Sequence, residues 1–144
     1  MPQSLACVPV QLVFSTKNRE PVLCEELDER LHSYLAGILK SEGHTPIKVG
    51  GFDDHVHLFF GLSRTQSISK CVEVVKTGSL YWLRSQGLRD FHWQNGYGAF
   101  GVSESGVPDV ARYIESQREH HKTISFPDEF RALLTEHNVE FDER

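Results

Sequence analysis

The stretch that decides the fold is DHVHLFF, residues 54–60, in which histidine and apolar side chains alternate. Residues two apart on a β-strand point to the same face, so the alternate apolar side chains of this strand are predicted to face a core. They are Val56, Leu58 and Phe60. His55 and His57 then lie side by side on the opposite face, where two imidazoles can bind one divalent metal ion. Two unrelated histidines on an exposed sheet face would show the same spacing, so both interpretations stay open.

Apolar spacing on both sides of this strand predicts an α+β chain with the element order β-α-β-β-α-β. Leucines recur every four residues from Leu23 to Leu39, which is typical of an amphipathic helix. The predicted elements are a strand at Val8–Phe14, a helix from Leu23 to about Gly43, strands at Thr45–Gly51 and His55–Gly61, a helix at Ser67–Ser85, a strand at Trp93–Ser103, a helix from Gly106 to about Lys122 and a helix at Asp128–His137. This order predicts a ferredoxin-like antiparallel sheet with helices on one face, followed by an added C-terminal helix.

Length and composition predict one domain over residues 1–144. The three cysteines are widely spaced, odd in number and lack a CxxC pair, which argues against a disulfide framework and a cysteine zinc site. Each cysteine is predicted to be a small buried apolar residue. The first residues show no signal-peptide pattern, and no apolar run is long enough to span a membrane. The expected location is therefore the cytoplasm.

The net charge of −5 is unfavourable for binding DNA, but the charges are unevenly distributed. Residues 64–103 contain five basic and two acidic side chains. A local basic strip is therefore predicted, and it would be built on Arg64, Lys70, Lys76, Arg84 and Arg89. Ordinary solvated charges on a helix would produce the same composition.

A second chemical pattern lies in ARYIESQ, residues 111–117. Tyr113 and Gln117 are four residues apart, so on a helix they share one face and lie one turn apart. A tyrosine hydroxyl can act as a nucleophile, and a glutamine carbonyl oxygen can bind a hard cation. The alternative is a tyrosine packed between helix and sheet beside a solvated glutamine.

The HxH strand, combined with a Tyr-x-x-x-Gln helix after the fourth strand, makes the chain resemble the single-tyrosine HUH transposases. This family contains the small transposases of bacterial insertion sequences and their relatives encoded beside repetitive extragenic palindromes (REP). The resemblance covers nearly the whole chain. Besides the two motifs, it is carried by Ser15–Arg19, Asp54, Leu58, Lys76, Gly78-Ser79, the Trp93…Tyr97 strand, His120-His121 and Phe126…Glu129.

The resemblance implies a DNA transposase that cleaves and rejoins single-stranded DNA, recognises the hairpin ends of a mobile element and needs no ATP. Tyr113 is the implied catalytic nucleophile, which would form a 5′-phosphotyrosine and release a 3′-hydroxyl. His55, His57 and Gln117 are the implied ligands of Mg²⁺ or Mn²⁺. The expected assembly is a homodimer in which the tyrosine helix of one subunit can complete the active site of the other. When bound to DNA, the protein is expected on the bacterial nucleoid.

Several basic and aromatic side chains are expected to contact DNA. The basic ones are Lys17, Arg19, Arg64, Lys70 and Lys76. Trp93 and Tyr97 are candidates for stacking on unpaired bases, whereas Trp82 is expected in the core.

Two residues next to the implied ligands are expected to have supporting roles. Asp54 precedes His55 and can orient its imidazole. His121 follows Gln117 by four residues and could compete as a metal ligand, but a packing or capping role at the negative end of the helix is favoured.

Two other classes of function remain open. A metal-dependent hydrolase could use the histidine pair with a metal-activated water, which would make Tyr113 dispensable and leave no covalent DNA adduct. A non-catalytic relative would bind DNA hairpins without cutting them.

Overall fold

The computed structural model describes residues 6–138, and its centre is a four-stranded antiparallel sheet in the order β2-β3-β1-β4. The strands are β1 (Pro9–Ser15), β2 (Thr45–Phe52), β3 (His55–Gly61) and β4 (Gly98–Gly101). The central pair, β1 and β3, is in register from Ser15 opposite His55 to Pro9 opposite Gly61. The predicted ferredoxin-like arrangement is therefore confirmed.

One face of this sheet is covered by α1 (Asp28–Ser41) and α2 (Ile68–Ser85). The leucine stripe of α1 packs here because β1 and β3 present their alternate apolar side chains to it. Leu12 and Leu58 lie opposite each other on the two central strands and are fully buried. The core on this face includes Leu12, Phe14, Leu31, Leu35, Leu39, Val56, Leu58, Phe60, Val75 and Leu83. The predicted inward orientation of the apolar side chains of β3 is thus confirmed.

Three C-terminal helices cover the other face of the sheet. They are α3 (Val107–Glu115), α4 (Gln117–His120) and α5 (Phe126–Glu136). A smaller apolar cluster packs between this layer and the sheet, and it consists of Val13, Phe100, Phe126, Leu133 and Leu134. Because of this layer, His55 and His57 are fully buried. The interpretation as two histidines on an exposed sheet face is therefore wrong.

The first helix starts later than the leucine pattern predicts. Residues Glu25–Leu27 form a 3-10 turn, and α1 begins at Asp28. The segment before it is tied to the β2–β3 turn, because the backbone N–H of Leu23 donates to Asp53 O at 2.9 Å. The helix ends close to the predicted Gly43, whose φ of 88° is a left-handed conformation suited to glycine.

The fourth strand is shorter than the predicted Trp93–Ser103 and covers Gly98–Gly101. Trp93 instead forms an isolated bridge with Thr16. Gly96, with a φ of 93°, turns the chain between that bridge and β4. A run of aromatic and glycine residues therefore spans a bridge, a turn and a short edge strand.

The predicted helix from Gly106 to Lys122 is interrupted at Ser116. The hydroxyl of Ser116 donates to the backbone carbonyls of Arg112 and Tyr113, both at 3.1 Å. Such bonds from serine to the preceding turn bend helices, and they separate α3 from α4.

The last helix starts two residues earlier than predicted because Ser125 caps it by accepting from the N–H of Asp128. Within residues 6–138, no helix has the length and apolar character needed to cross a membrane.

The cysteine prediction holds for one residue of three. Cys71 is buried in α2, whereas Cys7 and Cys24 are exposed. The two exposed cysteines lie in irregular segments before β1 and before α1, where no apolar periodicity directs a side chain inward.

Contact between α3 and β2 sets the position of the C-terminal layer. A Cβ atom added to Gly50 would lie 2.4 Å from the backbone oxygen of Ile114. Such a separation is far below van der Waals contact, so α3 can pack at this depth because residue 50 has no side chain. Ile114 follows Tyr113 directly, and this contact therefore controls the distance of the tyrosine from the sheet.

We expect Gly50→Ala to lower the free energy of unfolding by about 1–3 kcal/mol, because the added methyl group overpacks a backbone contact. Gly37→Ala is the matched control, since nothing lies within 4 Å of its added Cβ on α1. The free energy of unfolding of that variant should rise by about 0.5–1 kcal/mol, because alanine has a higher helix propensity than glycine. Urea denaturation followed by circular dichroism measures both changes. A Gly50→Ala protein as stable as the wild type would contradict this account of α3.

Candidate active site

Strand β3 places His55 and His57 next to each other beneath the C-terminal helices, with ring centroids 5.1 Å apart. Nδ1 of His55 lies 2.8 Å from Asp54 Oδ1, and Nδ1 of His57 lies 2.8 Å from Gln11 Oε1. Each ring N–H can donate to that oxygen, so each Nε2 points into the site. Asp54 therefore makes the orienting contact expected for it.

The tyrosine and the glutamine of the C-terminal motif reach the same site despite the break between α3 and α4. The Tyr113 hydroxyl donates to Glu129 Oε2, and Gln117 Nε2 donates to the same oxygen at 2.9 Å. Gln117 Oε1 lies 2.9 Å from His55 Nε2. The ring centroids of Tyr113 and His57 are 6.0 Å apart. One chain thus brings together all four residues implied for catalysis and metal binding.

The centre of the site is Glu129 of α5, to which the sequence motifs assign no role. Its Oε1 lies 3.3 Å from Nε2 of His55 and 3.1 Å from Nε2 of both His57 and His121. A signal for Glu129 was present in the sequence, because it occupies the apolar stripe of α5. A carboxylate at such a position is costly unless partners surround it.

His121 supplies a third imidazole to the site. Its Nδ1–H donates to the backbone oxygen of Ile124 at 2.6 Å, which agrees with the packing role favoured from the sequence. Its Nε2 points the other way, toward Glu129, and its ring centroid is 4.5 Å from that of His55. The capping interpretation was incomplete because the turn after α4 folds this ring back over the sheet.

The two strand histidines have opposite pKa shifts. Burial lowers the pKa of His55, but hydrogen bonds to Asp54, Glu129 and Gln117 outweigh burial and raise that pKa to about 9. Burial also lowers the pKa of His57, and the Glu129 carboxylate offsets this effect only in part. Identical residues two apart on one strand therefore differ in their affinity for protons.

Glu129 and Tyr113 also differ from their ordinary protonation behaviour. Burial by itself would raise the pKa of Glu129, but the imidazoles of His121, His55 and His57 hold it well below its usual range. Burial and then the Glu129 carboxylate raise the pKa of the Tyr113 hydroxyl well above its ordinary value. The carboxylate therefore orients the phenol and keeps its proton in place.

The donors of this site fit a divalent metal ion. Ligand atoms of His55, His121 and Glu129 lie within 4.8 Å of one another, and all three residues are buried. Nε2 of His121 has no hydrogen-bond partner among the described residues. Imidazole nitrogens combined with a carboxylate oxygen suit Mn²⁺ and other transition metals better than Mg²⁺, which prefers oxygen ligands.

Part of the basic surface expected to contact DNA lies at the end of the sheet nearest the site. Lys17 and Arg19 follow β1 and are exposed. Between them and the site, the backbone N–H of Thr16 donates to Asp54 O at 2.9 Å. These two side chains are thus attached to the segment that also orients His55.

The other basic residues expected to contact DNA lie on α2 or just before it. Lys76 reaches the same end of the sheet, but its Nζ donates to the carbonyls of Gln94 at 2.8 Å and Gly96 at 2.7 Å. Arg64 and Lys70 lie beyond the opposite end of β3 and at the start of α2. Lys70, Lys76 and Arg84 are distributed along α2, and the basic strip predicted from composition stays a prediction.

The aromatic residues proposed for base stacking also separate in the structure. Trp93 is buried, and its Nε1–H donates to Ser79 Oγ at 3.0 Å, so it is a core residue. Trp82 is half-buried and stacks on Tyr34 with ring centroids 4.9 Å apart. Tyr97 is exposed and remains a candidate for contact with a base.

An open cleft of about 980 Å³ leads to Tyr113 between β4, α3 and α5. Four acidic side chains line it: Asp109, Asp128, Glu129 and Glu136. These charges disfavour the approach of a phosphate along the cleft, and a bound cation near Tyr113 would offset them.

Arg118 anchors α4 to the rest of the molecule. Its guanidinium donates to Asp28 at 2.5 and 2.7 Å, to Asp53 at 2.7 Å and to the backbone oxygen of Leu23 at 2.9 Å. These partners precede it by 65 to 95 residues, so no local sequence pattern reveals them. Because Gln117 precedes Arg118, this anchor also fixes the glutamine beside His55.

We expect Arg118→Ala to lower the free energy of unfolding by about 2–3 kcal/mol, because it leaves two partly buried carboxylates without their charged donor. Arg112→Ala removes an exposed ion pair with Asp109, and it should lower the free energy of unfolding by about 0.5 kcal/mol or less. Chemical denaturation of the two variants in parallel measures the difference. Equal stabilities would show that Arg118 does not anchor α4.

The chain was compared with known families and curated proteins. A sequence model for the family described as "Transposase IS200 like" matches residues 5–117. The ISDra2 transposase TnpA of Deinococcus radiodurans is 28% identical over 115 residues, which cover 75% of this chain and 82% of that relative.

Solved structures show the same fold. A Deinococcus radiodurans R1 protein assigned as a transposase has a TM-score of 0.64 at 24% identity, covering 82% of this chain and 96% of that one. A REP-associated tyrosine transposase bound to a REP hairpin has a TM-score of 0.58 at 13% identity, covering 81% of this chain and 69% of that one. At these identities the structures support the fold alone. The family match, which spans most of the chain, shows that this protein belongs to the IS200-like transposase family.

Proposed function

We propose that this transposase cleaves and rejoins single-stranded DNA through a covalent bond between Tyr113 and a 5′-phosphate. One observation carries the proposal: the Tyr113 hydroxyl and three imidazole Nε2 atoms share the carboxylate of Glu129 in one site. A tyrosine hydroxyl beside a group that can hold a metal ion is the arrangement needed for nucleophilic attack on a phosphodiester.

In the proposed step, Oη of Tyr113 attacks phosphorus while the bond from phosphorus to the 3′-oxygen breaks. The phenol loses its proton, and the departing 3′-oxygen gains one to become a hydroxyl. The new phosphotyrosine bond replaces the broken phosphodiester bond, so a 3′-hydroxyl can later reverse the reaction without ATP. The contact with Glu129 orients the hydroxyl before the attack.

The proposed cofactor is Mg²⁺ or Mn²⁺, bound by His55, His57 and Gln117. A bound divalent ion would stabilise the negative charge that develops on the phosphate oxygens. The protein contributes a rigid set of donors, because Asp54 and Gln11 hold the two imidazoles from behind.

The proposed substrate is single-stranded DNA with hairpin ends, and the proposed site of action is the cytoplasm. A relative with the same fold is known bound to a REP hairpin. Lys17 and Arg19 follow the end of β1 that pairs with His55, and Lys76 reaches the same end of the sheet. Arg64 and Lys70 lie toward the opposite end of β3. Contacts of this kind would bind phosphates and make binding sensitive to salt.

We also propose a homodimer, as the family resemblance implies. Each subunit would keep its own tyrosine, because Tyr113 already contacts Glu129 and lies beside His57 of the same chain. The Arg118 anchor supports this arrangement by tying α4 to α1 and to the β2–β3 turn.

We expect Tyr113→Phe to abolish formation of a covalent protein–DNA adduct while leaving DNA binding intact, because the variant removes the attacking oxygen alone. Tyr81→Phe is the matched control, since Tyr81 is exposed on α2, on the other face of the sheet. A denaturing gel of protein mixed with Mn²⁺ and single-stranded DNA from the ends flanking its own gene would resolve the adduct.

Other outcomes of that gel identify the competing functions. Cleavage without an adduct, or full cleavage by Tyr113→Phe, would favour a hydrolase that uses a metal-activated water. Binding without cleavage or adduct by the wild type would indicate a non-catalytic hairpin-binding protein.

We expect His55→Ala to lose metal-dependent cleavage, because it removes an imidazole fixed at the centre of the site. His92→Ala replaces an exposed histidine and should behave like the wild type. The activity of each variant is measured across a Mn²⁺ titration. Identical titration curves for His55→Ala and the wild type would exclude His55 as a ligand.

A further inference from the structure

The three imidazoles of the site share one orientation. His55, His57 and His121 each place Nδ1 against an oxygen outside the site. The oxygens are Asp54 Oδ1 at 2.8 Å, Gln11 Oε1 at 2.8 Å and the backbone oxygen of Ile124 at 2.6 Å. Metal-binding histidines have this arrangement, because a second partner at one ring nitrogen fixes the other nitrogen as the donor to the metal.

The three Nε2 atoms converge on a single oxygen, Oε1 of Glu129. The separations are 3.3 Å for His55, 3.1 Å for His57 and 3.1 Å for His121. Ligand atoms of His55, His121 and Glu129 lie within 4.8 Å of one another, close enough to bind a single divalent ion. Side-chain exposure is at most 2% for all four residues, so water competes little for these atoms.

His121 gives an independent indication of a cation. Its Nδ1–H is committed to the carbonyl of Ile124, which leaves Nε2 as the ring nitrogen directed into the site. That nitrogen is buried and lacks a hydrogen-bond partner among residues 6–138, although Glu129 Oε1 lies 3.1 Å away. A bridging cation would satisfy a buried imidazole nitrogen and a carboxylate oxygen that lie this close without a hydrogen bond between them.

Gln117 occupies a different place in this geometry. Its Oε1 lies against His55 Nε2, and its Nε2 donates to Glu129 Oε2 at 2.9 Å. The glutamine therefore holds the outer oxygen of the carboxylate, on the side where the Tyr113 hydroxyl also donates. Glu129 has one oxygen toward the imidazoles and one toward the nucleophile.

We propose that Glu129 and His121 are metal ligands together with His55 and His57, and that the second oxygen of Glu129 positions Tyr113. This inference rests on the proposed metal-dependent function and adds two ligands to it. The metal ion and the nucleophile then share one carboxylate, so metal binding determines where the tyrosine hydroxyl lies. Helix α5, which follows the nucleophile in the chain, becomes part of the metal centre.

Mn²⁺ binding to the full chain, measured by electron paramagnetic resonance without DNA, tests the ligands. Glu129→Gln keeps the size of the side chain but removes its charge, and it should weaken Mn²⁺ binding by at least about tenfold. Glu73→Gln makes the same change at an exposed position of α2, on the other face of the sheet, and should bind Mn²⁺ like the wild type. Wild-type affinity in Glu129→Gln, or no Mn²⁺ binding by the wild type, would overturn the proposal.

A second variant keeps the test decisive if Glu129→Gln does not fold. His121→Asn can retain a donor to the Ile124 carbonyl while losing the inward nitrogen, and it should also weaken Mn²⁺ binding by at least about tenfold. Wild-type Mn²⁺ affinity in a folded His121→Asn protein would remove His121 from the ligand set.

The positioning role is tested by nuclear magnetic resonance of protein labelled with carbon-13 at the tyrosine Cζ atoms. The Tyr113 signal, assigned with Tyr113→Phe, should shift when Zn²⁺ is added to the wild type and should not shift in Glu129→Gln. If the Tyr113 signal of the wild type does not shift on addition of Zn²⁺, Glu129 does not position Tyr113 in response to metal binding. Neither experiment uses DNA, so a protein that passes both yet forms no adduct would refute the strand-transfer function while leaving the metal centre intact.

Discussion

The burial of the Glu129 carboxylate among three imidazoles is the interaction on which the C-terminal layer and the site both depend. Removing an ion from water costs on the order of several kcal/mol, and nearby opposite charges and hydrogen bonds must offset this cost. Among the described residues, His55 and His57 of β3 and His121 of the turn after α4 provide the partners that offset this cost for Glu129. Helix α5 therefore docks in one orientation, which also brings Glu129 to the Tyr113 hydroxyl.

One face of the sheet carries most of the apolar core, and the other face carries the candidate active site. Apolar residues of β1 and β3 pack against α1 and α2 and form most of the core. The alternate residues of the same strands carry Gln11, His55 and His57, which the C-terminal helices cover. A rigid apolar layer behind the histidines keeps their separation constant, and preorganised donors of this kind favour both metal binding and catalysis.

Local patterns predicted the parts of the molecule that depend on local geometry. The alternation in β3 places the two histidines on one face. Tyr113 and Gln117 reach the same carboxylate as expected, although the helix predicted to carry both is broken at Ser116. The roles of Glu129 and His121 could not be assigned this way, because they depend on how the turn 121–125 folds α5 back across the sheet. The same holds for Trp93, whose burial follows from its bridge to Thr16 and its bond to Ser79 rather than from any periodicity.

Mass spectrometry of the protein–DNA adduct tests the central claim most directly. After reaction of the wild type with single-stranded DNA and Mn²⁺, nuclease trimming and proteolysis leave any attached nucleotide on one peptide. The account predicts a nucleotide bound through its 5′-phosphate to Tyr113. A nucleotide on another residue, such as Tyr97, or cleaved DNA with no modified peptide would contradict it.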